Sequence, residues 1–127
     1  MSVMVGTGRL TAQLLAPAAP PTTYAEVHAE AFAQLMRDTN TVIIDVRTPP
    51  EIATGKIPGA REMDYHGFDF RDKLAVLDTS KTYLIYCRSG NRSGKTCAML
   101  AEMGFHRLYN LVGGYLEWAD RNGKHRP

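Results

Sequence analysis

The sequence predicts an α/β domain with a parallel β-sheet and helices on both faces. Three observations predict it. From Tyr24 onward, short apolar runs alternate with segments of helical periodicity. Residues 41–46, broken only by Asp45, and 82–86 are apolar or β-branched runs, as expected of strands covered on both faces by crossover helices. The second run ends in Cys87 and a Gly-containing turn that leads into a helix, which puts Cys87 where open parallel sheets hold ligands.

The elements follow in order. Residues 24–27 can form a short strand. Residues 29–36 read as a helix, because Ala29, Phe32, Ala33 and Met36 fall on one face. His28 precedes it. The strand over 41–46 is stopped by Pro49 and Pro50, and Pro50 can open a short helical turn holding Glu51 and Ile52. Gly55, Pro58 and Gly59 make the next stretch a loop, and 61–63 reads as a strand. Asp69 is the expected N-cap of a helix reaching Leu77. A strand over 82–86 and a helix over 93–103 follow, with Gly104 placed for its C-terminal cap. Residues 107–110 form the last strand, and Gly113-Gly114 leads into a final helix containing Trp118.

Residues 1–21 differ in texture. Gly6, Gly8, Pro17, Pro20 and Pro21 punctuate small and apolar residues, with Arg9 the only charge. The apolar stretch from Leu10 to Ala19 is too broken for a signal-peptide core. An N-terminal arm is therefore expected over 1–21, and the domain over 22–127.

Composition narrows the function. The chain has 127 residues, 44% of them hydrophobic, enough for one domain with one core. Fifteen basic against thirteen acidic residues leave a net charge of +2 with no basic block, so nucleic acid is not an expected partner. No apolar run approaches the ~18 residues that span a bilayer. No membrane partner is expected, and a soluble, cytoplasmic protein is. Two cysteines and four scattered histidines supply neither a disulfide framework nor a converging metal site. No metal or cofactor is expected.

The chemistry gathers after residue 86. Cys87 is followed by Arg88, Ser89, Gly90, Asn91, Arg92 and Ser93. A strand, a glycine turn and a helix N-terminus aim backbone N–H groups at one point and favour an anion there. Nearby arginines and a helix N-terminus lower a cysteine pKa, so Cys87 is expected to be thiolate at neutral pH. A cysteine ending a strand is commonly just a small apolar residue, but the polar string after Cys87 does not fit apolar burial. Cys97 differs: it shares a helical face with Leu100, Ala101 and Gly104, the pattern of core packing, although a resolving-thiol role would also use a nearby cysteine. Residues 90–96 superficially resemble a phosphate-binding P-loop, yet three residues rather than four separate Gly90 from Gly94-Lys95.

Three stretches together resemble the rhodanese-like family. They are Ile44-Asp45-Val46-Arg47 with Glu51 and residues 55–60, then residues 87–93, then Gly104-Phe105, Tyr109-Asn110-Leu111, Gly113-Gly114 and Trp118. The family often has His where this chain has Lys56. The resemblance implies a five-stranded parallel sheet and a six-residue active loop from Cys87 to Arg92. It implies a sulfurtransferase in which Cys87 takes a sulfane sulfur from thiosulfate or a related donor as a persulfide, then passes it to cyanide, a thiol or a protein acceptor. The N–H groups of residues 89–93 would stabilise the negative charge, and Arg88 and Arg92 would hold the donor's sulfonate. Asp45 and Arg47 would either support the loop or form a local ion pair. Arg61 is a further candidate at the site. Tyr65 and His66 are placed near the cleft mouth, His106 and His125 at the periphery, and Phe105 and Trp118 in the core or cleft wall. A cysteine-dependent phosphatase or arsenate reductase is the runner-up. Those enzymes place five residues between cysteine and arginine, where Cys87 and Arg92 enclose four. A persulfide carrier without turnover of its own is the third reading.

Overall fold

The computed structural model describes residues 24–122. The arm expected over 1–21 and His125 lie outside the described residues. Five strands form one sheet: β1 (Ala25–Val27), β2 (Thr41–Asp45), β3 (Arg61–Glu62), β4 (Thr82–Tyr86) and β5 (Leu108–Leu111). Their order is β1-β5-β4-β2-β3, and every neighbouring pair is parallel. The helices are α1 (Ala29–Leu35), α2 (Pro49–Ile52), α3 (Phe70–Ala75), α4 (Asn91–Glu102) and α5 (Gly114–Arg121).

The strand alternation sorts the core into two layers. From β4, Tyr83, Ile85 and the following Cys87 face one side, where Phe70 and Leu74 of α3 and Cys97 and Leu100 of α4 cover them. Leu84 and Tyr86 face the other side, against Phe32 of α1 and Tyr115, Trp118 and Ala119 of α5. All five residues of β4 are buried, as a central parallel strand requires. In β2 only Ile44 and Asp45 are fully buried, so two-sided cover is confined to its carboxyl half. Phe105 and Trp118 are both core residues, in opposite layers.

Two boundaries differ by two residues from the sequence reading, the others by at most one. α3 ends at Ala75 rather than Leu77, and Asp69, at its N-cap position, makes no side-chain cap bond. The backbone of Asp69 (φ −102°, ψ 14°) is outside the extended region a capping side chain needs, and its carboxylate lies instead 3.7 Å from Lys73. α4 begins at Asn91, two residues early. Its far end closes as expected: Phe105 N–H donates to Leu100 O (3.0 Å) and Gly104 N–H to Ala101 O (3.1 Å). Among the described residues, no helix is long and apolar enough to cross a membrane.

Candidate active site

The site forms where β4 hands over to α4. Tyr86 ends the strand, Cys87 follows, and Gly90 turns the chain at φ +100°. A Cβ on Gly90 would stand 2.2 Å from Val112 O, so both the torsion and the close approach require glycine. Gly90 has no side chain with which to cap α4, and the first-turn amides of a helix need acceptors. The Cys87 sulfur serves: Sγ lies 3.2 Å from Gly90 N, 3.4 Å from Ser93 N and 3.3 Å from Ser93 Oγ. The sulfur is thus the acceptor at the positive end of α4.

Burial at 1% exposure pulls the Cys87 thiol up, since it disfavours the anion. Hydrogen bonds from the Ser93 hydroxyl, then from the Ser93, Ser89 and Gly90 amides, outweigh it and leave the thiol below its ordinary value. The depressed thiol expected from the sequence is therefore found, through the expected amides and, ahead of them, the Ser93 hydroxyl. Hydrogen-bond donors, more than the arginines, hold the thiolate. Cys97 is buried too, and its thiol is raised, first by desolvation and then by the charge of Glu26.

The loop carbonyls face the other way. Tyr115 N–H donates to Cys87 O (2.8 Å) and Leu116 N–H to Arg88 O (3.2 Å). The loop thereby satisfies the first amides of α5, as α4 satisfies the sulfur. Gly114 (φ +62°) makes this fit, because a Cβ there would lie 2.3 Å from Arg88 O.

The arginines do not share one task. Arg92 forms a two-pronged ion pair with Glu51, at 2.8 Å on each side, which takes two of its five N–H donors. Arg88 is exposed and lines an open hollow with Pro50, Thr54 and Leu116. Asp45 and Arg47 form a buried ion pair: Nε reaches Oδ1 at 3.0 Å and Nη2 reaches Oδ2 at 2.7 Å. Tyr86 Oη donates to the same Oδ2 (2.5 Å) and accepts from Ile57 N–H (3.0 Å). Arg47 also donates to Glu51 O and Gly55 O, and it stacks over the Tyr115 ring at 4.2 Å. The pair therefore fixes the segment that carries Glu51, and Glu51 fixes Arg92.

Arg61 was a further candidate at the site. It is exposed, and it lines a hollow with Met36, Asp38 and Thr41 by the amino end of β2, away from the carboxyl ends where Cys87 sits. It sits on the edge strand β3, where its backbone pairs with Ile44. Tyr65 is half-buried against Phe70 (5.3 Å), while His66 and His106 are exposed. His28 lies 3.0 Å from Glu117 just before α1. Lys56, the departure from the family pattern, bonds Ala60 O and Glu62. Among the described residues, no group of three or more His, Cys, Asp or Glu side chains is placed to hold a metal.

The sequence reading assigned no role at the site to Glu51, Tyr86, Tyr115 or Asn110. Asn110 had a visible signal: it is a polar residue in the middle of a strand otherwise fit for burial, and it is 2% exposed. Buried amides require partners. Ser93 Oγ lies 2.5 Å from Asn110 Oδ1, and Asn110 Nδ2–H donates to Gly90 O (3.1 Å).

A parallel α/β domain with one anion-stabilised cysteine at the carboxyl edge of its sheet is a scaffold for nucleophilic cysteine chemistry. The rhodanese-like domain family matches residues 28–121, and the chain belongs to that family. A sulfurtransferase of Allochromatium vinosum is 40% identical over 95 residues, covering 74% of this chain and 87% of the relative. The thiosulfate sulfurtransferase GlpE of Stutzerimonas stutzeri is 35% identical over 86 residues, covering 68% and 77%. A solved structure from Staphylococcus saprophyticus superposes with a TM-score of 0.65 at 31% identity, covering 76% of this chain and 94% of that one. Family membership and these relatives support sulfurtransferase activity.

Proposed function

We propose that the chain transfers a sulfane sulfur from thiosulfate or a related donor to a thiol or cyanide acceptor through a persulfide on Cys87. The Cys87 thiolate attacks the outer sulfur of thiosulfate. A bond forms between Sγ and that sulfur, the donor's S–S bond breaks, and its electron pair leaves with sulfite. The negative charge moves to the outer sulfur of the persulfide. An acceptor thiolate or cyanide then attacks that sulfur, and Cys87 leaves as thiolate. One difficult step becomes two easier ones.

The observation that carries this reading is the ring of donors on Cys87 Sγ from Gly90 N, Ser93 N and Ser93 Oγ. Such preorganised donors stabilise a thiolate before attack. With Arg92 held by Glu51, the exposed Arg88 is the cation that meets the donor's sulfonate. The four-residue spacing between Cys87 and Arg92 favours sulfur over a bulkier phosphoryl group.

Intact-mass spectrometry after thiosulfate tests the proposal. The wild type and Cys97→Ser should gain one sulfur atom and lose it again on addition of cyanide. Cys87→Ser should gain none and should have no turnover. Equal loss of activity in the two single variants would point to a two-thiol mechanism, and phosphate-ester hydrolysis traced to Cys87 would favour the phosphatase reading.

A further inference from the structure

Ser93 Oγ stands between two acceptors, 3.3 Å from Cys87 Sγ and 2.5 Å from Asn110 Oδ1. A serine hydroxyl has one proton, so it can donate to only one of them at a time. We propose that Asn110 is a positioning residue that competes with Cys87 for the Ser93 proton, holding it while the sulfur is neutral and yielding it when Cys87 is a thiolate. This rests on the persulfide reading and adds a residue to it.

The geometry fixes the competitor. Asn110 Nδ2–H donates to Gly90 O at 3.1 Å, which sets the amide so that Oδ1 faces Ser93. The backbone around it leaves no slack, since a Cβ on Gly94 would meet Asn110 Nδ2 at 3.2 Å. Asn110, Ser93 and Cys87 are each at most 2% exposed, so water competes poorly for these bonds. Among the described residues, Ser93 is the donor that reaches Asn110 Oδ1.

Two arrangements follow. With a neutral sulfur, the Ser93 hydroxyl points to Asn110 Oδ1. A Cys87 thiol can then donate its own hydrogen to Ser93 Oγ. When that thiol proton leaves to solvent, the Ser93 hydroxyl rotates to the sulfur and Asn110 Oδ1 loses its donor. Formation of the persulfide makes Sγ a neutral, two-bonded sulfur again, and the hydroxyl returns to Asn110. The covalent O–H bond of Ser93 stays intact throughout; only its hydrogen bond changes partner. The charged group felt by the same sulfur from α4 is Arg92, with Glu51 of α2 on its far side, and both are engaged with each other.

The test is a titration of Cys87 thiolate absorbance in the full chain carrying Cys97→Ser. Asn110→Ala removes the competitor, so the midpoint should fall by ~0.5–1 pH unit, the size of one hydrogen bond. Asn110→Val suits a strand and takes its place if the alanine variant does not fold. Ser93→Ala should raise the midpoint, and adding Asn110→Ala to Ser93→Ala should change nothing more. An unchanged or raised midpoint in the Asn110 variants, or the same shift with and without Ser93, overturns the proposal. Failure of the wild type to take sulfur from thiosulfate would instead count against the persulfide reading, since the titration needs no donor.

Discussion

Glu51 is a side chain of modest size with several partners. Its Oε1 accepts from Thr48 N–H (2.9 Å), Thr48 Oγ1 (3.0 Å) and Arg92 Nη1, and its Oε2 accepts from Arg92 Nη2. The Arg92 hydrogen bonds, with help from Thr48, lower its carboxyl to about 2 against the opposing effect of burial. A depressed carboxyl contributes stability that is fully present above the ordinary glutamate value of ~4.3 and is lost as pH falls through the folded value of about 2. Glu51→Gln should therefore cost roughly 1.5–3 kcal/mol at neutral pH, the range for hydrogen bonds to charged groups. Denaturant unfolding should show the wild-type and variant curves converging as pH drops toward about 2. A gap that stays constant with pH would mean that the ionised pair contributes nothing. The sequence showed Arg92 close to Cys87, which made it look available to a substrate. Its partner lies 41 residues earlier, and no local rule of spacing links the two.

At the scale of elements, the strand–loop–helix unit around Cys87 was legible because its signals are local: an apolar run, a glycine turn, then a helical pattern. The support from α5 was not. Gly113-Gly114 read as the entry to a helix, yet the need for glycine at 114 comes from the backbone of Arg88, 26 residues before it in the sequence. Gly114→Ala should lose ~1–3 kcal/mol for the left-handed torsion alone, and the clash with Arg88 O should displace the loop as well. Melting temperature and sulfur transfer should fall together. Retained turnover in a destabilised protein would show that the loop does not depend on α5. α3 was overextended for a related reason. The apolar periodicity continues through Val76 and Leu77, but Asp78 Oδ1 accepts from Ser80 N–H (2.9 Å) and Ser80 Oγ (2.7 Å), a local turn that competes with the helix.

Across the whole molecule, the fold class and sheet were readable because burial patterns repeat along the chain, whereas the direction of one edge side chain was not. Arg61 was a further candidate at the site, and it lies exposed on the short edge strand β3, lining a different hollow. Asp45 and Arg47 were left open between a local pair and loop support, and they are a buried pair that also anchors residues 51–57. Asp45→Ala would leave Arg47 uncompensated in the interior, at a cost of ~3–5 kcal/mol. For a domain of this size that is a fall in melting temperature of more than ~12 °C, measurable by calorimetry. A loss no larger than that of a surface substitution would mean that Arg47 finds solvent. The loop between the two helices carries a further implication. Its carbonyls at 87 and 88 are taken by α5, and its amides at 90 and 93 are taken by the sulfur. The cradle thus has a fixed gauge, counted off at both ends by helices that cannot slide. One residue more or fewer would leave either a helix end or the sulfur unpaired, so the span of the ring is tied to the register of both helices.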